Sequence, residues 1–130
     1  MMDVKTIDFT KCWWTFPRPG VQHRCFQGSQ YSTVTWNRLY PGHEVLIHTH
    51  DFEQVVYIMS GEAEIIVDGE HVPMPKNSIM LIKPGAEHAV VAKGTEPMEY
   101  VNVFGAKRDD REQTQVMPGL VTPVSNRLYF

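Results

Sequence analysis

The chain is short of cysteine, of basic runs and of long apolar stretches, and each shortage removes a class of protein. Only two cysteines occur, Cys12 and Cys25, without CxxC spacing, which argues against a disulfide and for free thiols in a reducing cytoplasm. Lysine and arginine number 12 against 15 acidic residues, for a net charge of −3 and a pI near 6.0. With no basic run in addition, nucleic acid and anionic membranes are poor partners. No apolar window approaches the length of a membrane span. The N-terminal MMDVKTIDFTKCWW carries acidic residues and lacks the apolar core of a signal peptide. A cytoplasmic location is expected. The 130 residues, 42% of them hydrophobic, are enough to fill one core and form one domain.

What is present is a series of short β-branched and aromatic segments: YSTVTWNRL, EVLIHTH, QVVYIM, EAEIIVDG, HVPM, SIMLIK, HAVVAK and MEYVNVF. Turn signals divide them at intervals of about 8 to 12 residues, the spacing of an all-β sandwich or barrel. Pro41-Gly42, Ser60-Gly61, Asp68-Gly69, Pro84-Gly85 and Lys93-Gly94 are the turns, and Asp68-Gly69 suits a tight hairpin because both residues tolerate positive φ.

His48, His50 and Gln54 lie between Gly42 and Gly61, and His88 follows in KPGAEH. Alternate residues of a strand share a face, so His48 and His50 project together with α-carbons roughly 7 Å apart. The short Asp51-Phe52-Glu53 connection lets the chain double back and bring Gln54 alongside. Imidazole suits zinc, copper, iron and nickel, and an amide oxygen is a harder neutral donor, so three histidines and one glutamine read as a divalent metal site. Glu53 and Glu87 point away from the ion by parity. Beyond Gln54, Val56 and Ile58 make the inward wall apolar, and no acid or tyrosine stands two residues after Gln54 to act as a base.

The order Gly42, His48-x-His50, Gln54, Gly61 resembles the first motif of the cupins, with glutamine where that family usually has glutamate. Pro84-Gly85-x-x-His88 resembles the second motif, with Asn77-Ser78 and Ala92 departing from its usual ends. The resemblance spans Val21 to Phe104. It implies a single all-β cupin barrel, a jelly roll or double-stranded β-helix of the RmlC-like superfamily. It also implies one divalent ion, manganese, iron, nickel or zinc, held by His48, His50, Gln54 and His88. On this reading residues 1–20 form an N-terminal arm, 21–105 the barrel and 106–130 a C-terminal tail of one domain overall.

The closing segment MEYVNVF and the AKRDD after it are similar to the end of the small cupin that acts on 4,5-unsaturated uronates. There an aspartate and a phenylalanine line the pocket; by position they fall on Asn102 and Phe104, and Asn102 cannot be a general base. Other side chains read as surface or packing: His43 and His71 as solvated, Asp109, Asp110 and Arg111 as a solvated face, and His23 as facing either way. Arg24 and Arg38 are candidates to bind an anionic substrate, against the usual outward snorkelling of strand arginines. Trp13-Trp14 and the terminal Leu128-Tyr129-Phe130 are apolar enough to pack on the barrel or a second subunit, so a homodimer is expected.

A site of four neutral ligands keeps the full charge of its ion. A unit charge at about 4 Å is worth on the order of 4 kcal/mol at an effective dielectric near 20, so the glutamine favours Lewis-acid chemistry. The expected function is a metal-dependent lyase, isomerase or hydrolase for a small oxygen-rich substrate such as a sugar acid or keto compound. An Fe(II) dioxygenase and a non-catalytic binding cupin are the alternatives. The length leaves no room for an added DNA-binding domain, which favours an autonomous enzyme.

Overall fold

The alternating segments fold into antiparallel strands in the computed structural model, which describes residues 4–27, 30–108 and 122–124. The strands are β1 (Val4–Thr6), β2 (Thr15–Arg18), β3 (Val21–Phe26), β4 (Thr33–Leu39), β5 (Gln54–Ser60), β6 (Ala63–Val67), β7 (Glu70–Met74), β8 (Ile79–Ile82), β9 (His88–Ala92), β10 (Met98–Phe104) and β11 (Thr122–Val124). A six-stranded sheet of order β2-β3-β4-β10-β5-β8 faces a three-stranded sheet of order β7-β6-β9, and β1 pairs with β11. One 3₁₀ turn, Phe9–Lys11, is capped by the Asp8 carboxylate, which accepts from the Thr10 amide at 3.0 Å. Among the described residues no helix is long and apolar enough to cross a membrane. The all-β jelly-roll barrel expected from the sequence is the fold observed. Leu128-Tyr129-Phe130 and Asp109-Asp110-Arg111 lie outside the described residues.

The core joins both sheets: Leu39, Val56, Ile58 and Met98 from one meet Ala63, Ile65 and Met74 from the other. Val56, Ile58 and Ile65 have no exposed surface, and each such burial contributes roughly 1.5–3 kcal/mol. On β5 the buried residues are Gln54, Val56 and Ile58, with Tyr57 outside, as parity requires.

Five of the described glycines have positive φ, and two of their turns show why. At the β6–β7 hairpin Asp68 and Gly69 have φ of 48° and 84°, the pair of left-handed residues that a two-residue hairpin demands. Gly61 has φ of 84°, and a Cβ there would lie 2.6 Å from Met98 Cβ and 2.7 Å from Met98 Cα. Gly61→Ala is therefore expected to lose about 1–3 kcal/mol from backbone strain alone, with displacement of Met98 adding to it. Urea melts of the two proteins measure the loss; coincident midpoints would show that the turn accommodates alanine.

The structure departs from the sequence reading at four places. EVLIHTH is not a strand: it runs beside β9 and joins it only through a bridge between His48 and His88. β2 and β3 arise from segments in which no strand was expected, and β2 lies within residues 1–20. Arg24 does not snorkel into water. It lies buried, its guanidinium 3.8 Å from the Trp14 ring and 4.4 Å from the Trp36 ring, and donates to the Phe9 carbonyl at 2.9 Å. Trp14 thus packs on the outer face of its own sheet, where Arg38 also approaches it at 4.8 Å and pairs with Glu99 at 3.5 Å.

His43 is the fourth departure, being buried rather than solvated. Its Nδ1 faces the Glu44 carbonyl at 2.8 Å and its Nε2 accepts from the Ala92 amide at 3.0 Å, so both ring nitrogens tie the turn to β9. His71 is exposed and bonded to Glu64. Neither cysteine is in a disulfide and both are buried, and burial pushes the Cys12 thiol above its ordinary pKa.

Candidate metal centre

Two elements, the segment 43–50 and β9, deliver the histidines, and β5 delivers Gln54. His48 and His88 exchange backbone hydrogen bonds, His48 N to His88 O at 3.1 Å and His88 N to His48 O at 2.9 Å, which sets their rings 4.4 Å apart. His50 is held by Gly85, whose amide donates to its carbonyl at 2.8 Å, and its ring lies 4.8 Å from that of His88. Gln54 enters from the inward face of β5. The ligand atoms of the three histidines lie within 4.8 Å of one another.

Each imidazole is held in one tautomer by its own backbone. Nδ1 of His48 meets the Leu46 carbonyl at 3.1 Å, that of His50 the Phe52 carbonyl at 2.9 Å and that of His88 the Ala86 carbonyl at 2.9 Å. A carbonyl can only accept, so each Nδ1 carries the proton and each Nε2 a lone pair. The Gln54 amide is fixed likewise. Its Nε2 donates to Asn102 Oδ1 at 2.8 Å, turning Oε1 to within 2.9 Å of His50 Nε2 and 3.0 Å of His88 Nε2. Moving a proton to Nε2 would satisfy Gln54 but would set an Nδ1 lone pair against a carbonyl oxygen. Lone pairs converging with their outer atoms already committed are the arrangement that a cation resolves, and backbone partners of this kind fix ligand histidines around metals. The donor set therefore fits a divalent ion.

Burial is the main cause that lowers the His48 pKa from 6.5 to about 4, with nearby His88, His50 and Arg108 adding to it; burial, then His50 and Arg108, lowers that of His88. Both rings are neutral at pH 7 and can ligate. A histidine whose folded pKa is depressed binds its proton more readily when unfolded, so metal-free protein is expected to lose stability as pH falls from about 6.5 towards 4. Melting temperatures across that range check this, and a profile equally steep in His48→Gln would assign the loss to other groups.

Asn102 and Phe104 both face this cluster from β10. Asn102 orients Gln54, and Phe104 lies edge-on to His50 at 5.9 Å. Phe52 stacks on His50 at 4.2 Å, and the Arg108 guanidinium lies 4.6 Å from the Phe104 ring. Glu53 is exposed and outside the cluster, and Glu87 is also exposed.

The cluster opens on a cavity of about 340 Å³, at the lower end of the range for small-molecule sites. Neither Arg24 nor Arg38 lines it, a correction that follows from their place on the outer face of the sheet. Arg18, His23, Asn37 and Arg108 line it instead, and no carboxylate does among the described residues. Asn37 escaped the sequence reading because it shares a face of β4 with Thr33 and Thr35, a polar face that an apolar-inside rule turns outward; His23 and Arg18 lie on the strands that the sequence did not reveal.

The family profile described as "Cupin domain" matches residues 36–104. Searching curated protein sequences gave no match. Among solved structures, KdgF from Halomonas sp. is similar at 20% identity and a TM-score of 0.72, over 80% of this chain and 94% of that one. An RmlC-like cupin from Shewanella frigidimarina matches at 19% identity and a TM-score of 0.74, over 85% of this chain and 98% of its own. The polyketide cyclase RemF from Streptomyces resistomycificus matches at 17% identity and 0.69, over 88% and 85% of the two chains. At these identities the likeness is one of fold.

Proposed function

Because this chain belongs to the cupin family, we propose that it is a metal-dependent enzyme of non-redox chemistry, a lyase, isomerase or ring-opening hydrolase acting on a small sugar acid or keto compound. His48, His50, Gln54 and His88 hold one divalent ion, manganese, iron, nickel or zinc. The observation that carries this reading is the convergence of the imidazole lone pairs and the Gln54 carbonyl, each turned inward by a bond on its far side. A bound divalent ion would supply Lewis-acid polarisation of a substrate oxygen. The chain's own groups do the rest: Asn102 keeps Gln54 oriented, Phe104 and Phe52 pack beside the cluster, and a cavity with cationic and, among the described residues, no acidic lining attracts a carboxylate.

Elemental analysis after metal-replete expression, followed by a screen of 4,5-unsaturated uronates and keto acids with an oxygen electrode, tests the reading. Turnover without oxygen uptake supports it. Substrate-dependent oxygen uptake by the iron form would favour a dioxygenase, and metal-free protein would leave a binding module.

The assembly proposed is a cytoplasmic homodimer in which residues 21–105 form the barrel. Its support is an apolar outer face across β10, β5 and β8, where exposed Val103, Tyr57, Ile79 and Leu81 are cross-strand neighbours. Light scattering that finds a monomer at micromolar concentration would overturn it.

A further inference from the structure

We propose that the cavity has a second subsite, formed by Asn37, His23 and Arg18, which binds the hydroxyl-bearing end of a sugar acid whose carboxylate lies at the histidine cluster. This rests on the metal-dependent reading above and adds to it the orientation and length of the ligand.

Strand register gives the span. Gln54 lies opposite Phe104 on β10, while Tyr100 of the same strand lies opposite Asn37 on β4, which in turn lies opposite His23 on β3. Phe104 and Tyr100 are four residues apart, about 13 Å along a strand, and all these residues line one cavity. The side chains at either end take up part of that distance. A chain of about six carbons, advancing roughly 1.3 Å per bond, fits the remainder. Val21, Leu39 and Val90 supply an apolar wall for the C–H faces of such a chain.

The two ends differ in what they accept. At the cluster, neutral ligands leave an ion's charge uncancelled, which suits a carboxylate. At the other end Asn37 Nδ2 is engaged by Thr35 Oγ1 at 2.8 Å and by the Tyr100 carbonyl at 3.4 Å. Its Oδ1 is the group left to meet a ligand, and an amide oxygen accepts from a hydroxyl but repels a carboxylate. Arg18 also faces this end, and Glu44, 3.9 Å from its Nε, offsets part of its charge. The far end is therefore polar, with less positive charge than an ion at the cluster supplies. A site built to bond a hydroxyl discriminates against a ligand lacking one, because its buried acceptor is then left unpaired.

Calorimetric titration of the zinc-loaded protein with gluconate, hexanoate, adipate and pyruvate tests the proposal. Gluconate is expected to bind about tenfold or more tightly than hexanoate or adipate. Asn37→Leu should remove that advantage and leave pyruvate binding, which needs the cluster end alone, as it was; retained pyruvate binding also shows that the variant folds. Glu44→Gln, an exposed change, leaves Arg18 uncompensated and should raise adipate relative to gluconate. Equal affinities for gluconate, hexanoate and adipate in the wild type, or a parallel loss of gluconate and pyruvate in Asn37→Leu, would overturn the subsite, as would an unchanged adipate ratio in Glu44→Gln. Gluconate binding that depends on Asn37 but is the same without zinc would retain the subsite and refute the metal-dependent reading.

Discussion

His48→Ala protein from metal-replete expression is expected to contain little or no divalent metal, while the wild type carries one ion per chain. The substitution isolates the ligand from the fold. His48 joins β9 through its backbone, N to His88 O and O to His88 N, and both bonds survive in alanine. The side chain is only half-buried, so its removal opens no large core cavity. What disappears is one inward Nε2. Loss of an outer-sphere partner alone weakens a metal by roughly 10–100-fold, and loss of a ligand should exceed that. Elemental analysis and competition with a chromophoric chelator read the affinity. Equal occupancy in wild type and variant would show that the imidazoles converge for some other reason.

The second large effect concerns two neighbouring residues. Gln54→Glu is expected to retain or tighten the metal, since a carboxylate adds charge attraction, and to diminish turnover by cancelling part of the ion's charge. The buried surroundings allow the exchange: Asn102 can rotate its amide and donate where it now accepts at 2.8 Å from Gln54. Glu53→Ala should leave metal content nearly unchanged, because Glu53 is exposed on the opposite face and its backbone oxygen, which alanine keeps, accepts from Gly105 at 2.9 Å. Metal content and turnover of both variants decide between them. If Glu53→Ala emptied the site and Gln54→Ala did not, the argument from a neutral shell would fall with it.

Much of the barrel was legible because β4, β5, β6 and β10 alternate and turn signals, most of them with glycine, divide the segments, and the four inward donors could be named from motif spacing. The far wall was hidden for a physical reason. On β4 the inward residues are Thr33, Thr35, Asn37 and Leu39, whereas Val34 and Trp36 face outward. Asn37 turns in because it lines the cavity, and the buried threonines because they have partners there, Thr33 the Ala106 carbonyl and the Arg108 amide, Thr35 the Asn37 amide. Apolar ones turn out because the Phe9 and Trp14 rings, 5.7 Å and 6.0 Å from the Trp36 ring, cover that face. A rule of apolar inside and polar outside therefore misreads this strand. Arg108 escaped notice similarly, since a charged KRDD run reads as solvated while its guanidinium lies 4.6 Å from the Phe104 ring and 5.2 Å from the Phe52 ring.

The bridge at His48 also bears on how fast an ion can come and go. Two of the four inward donors ride on residues 43–50, and among the described residues no backbone bond holds Val45, Leu46 or Ile47 to a neighbouring strand. Parting the His48–His88 pair together with the Gly85–His50 bond would swing those donors aside while the barrel stays folded. Openings of that size are local, take microseconds to seconds and need far less than the free energy of global unfolding. Release of a bound ion would then be frequent, and the ion held at any moment would reflect the surrounding supply weighted by the intrinsic order of divalent affinities. Protein grown in zinc-rich and in iron-rich medium should accordingly carry different ions, and dialysis against the other metal should interconvert them without refolding.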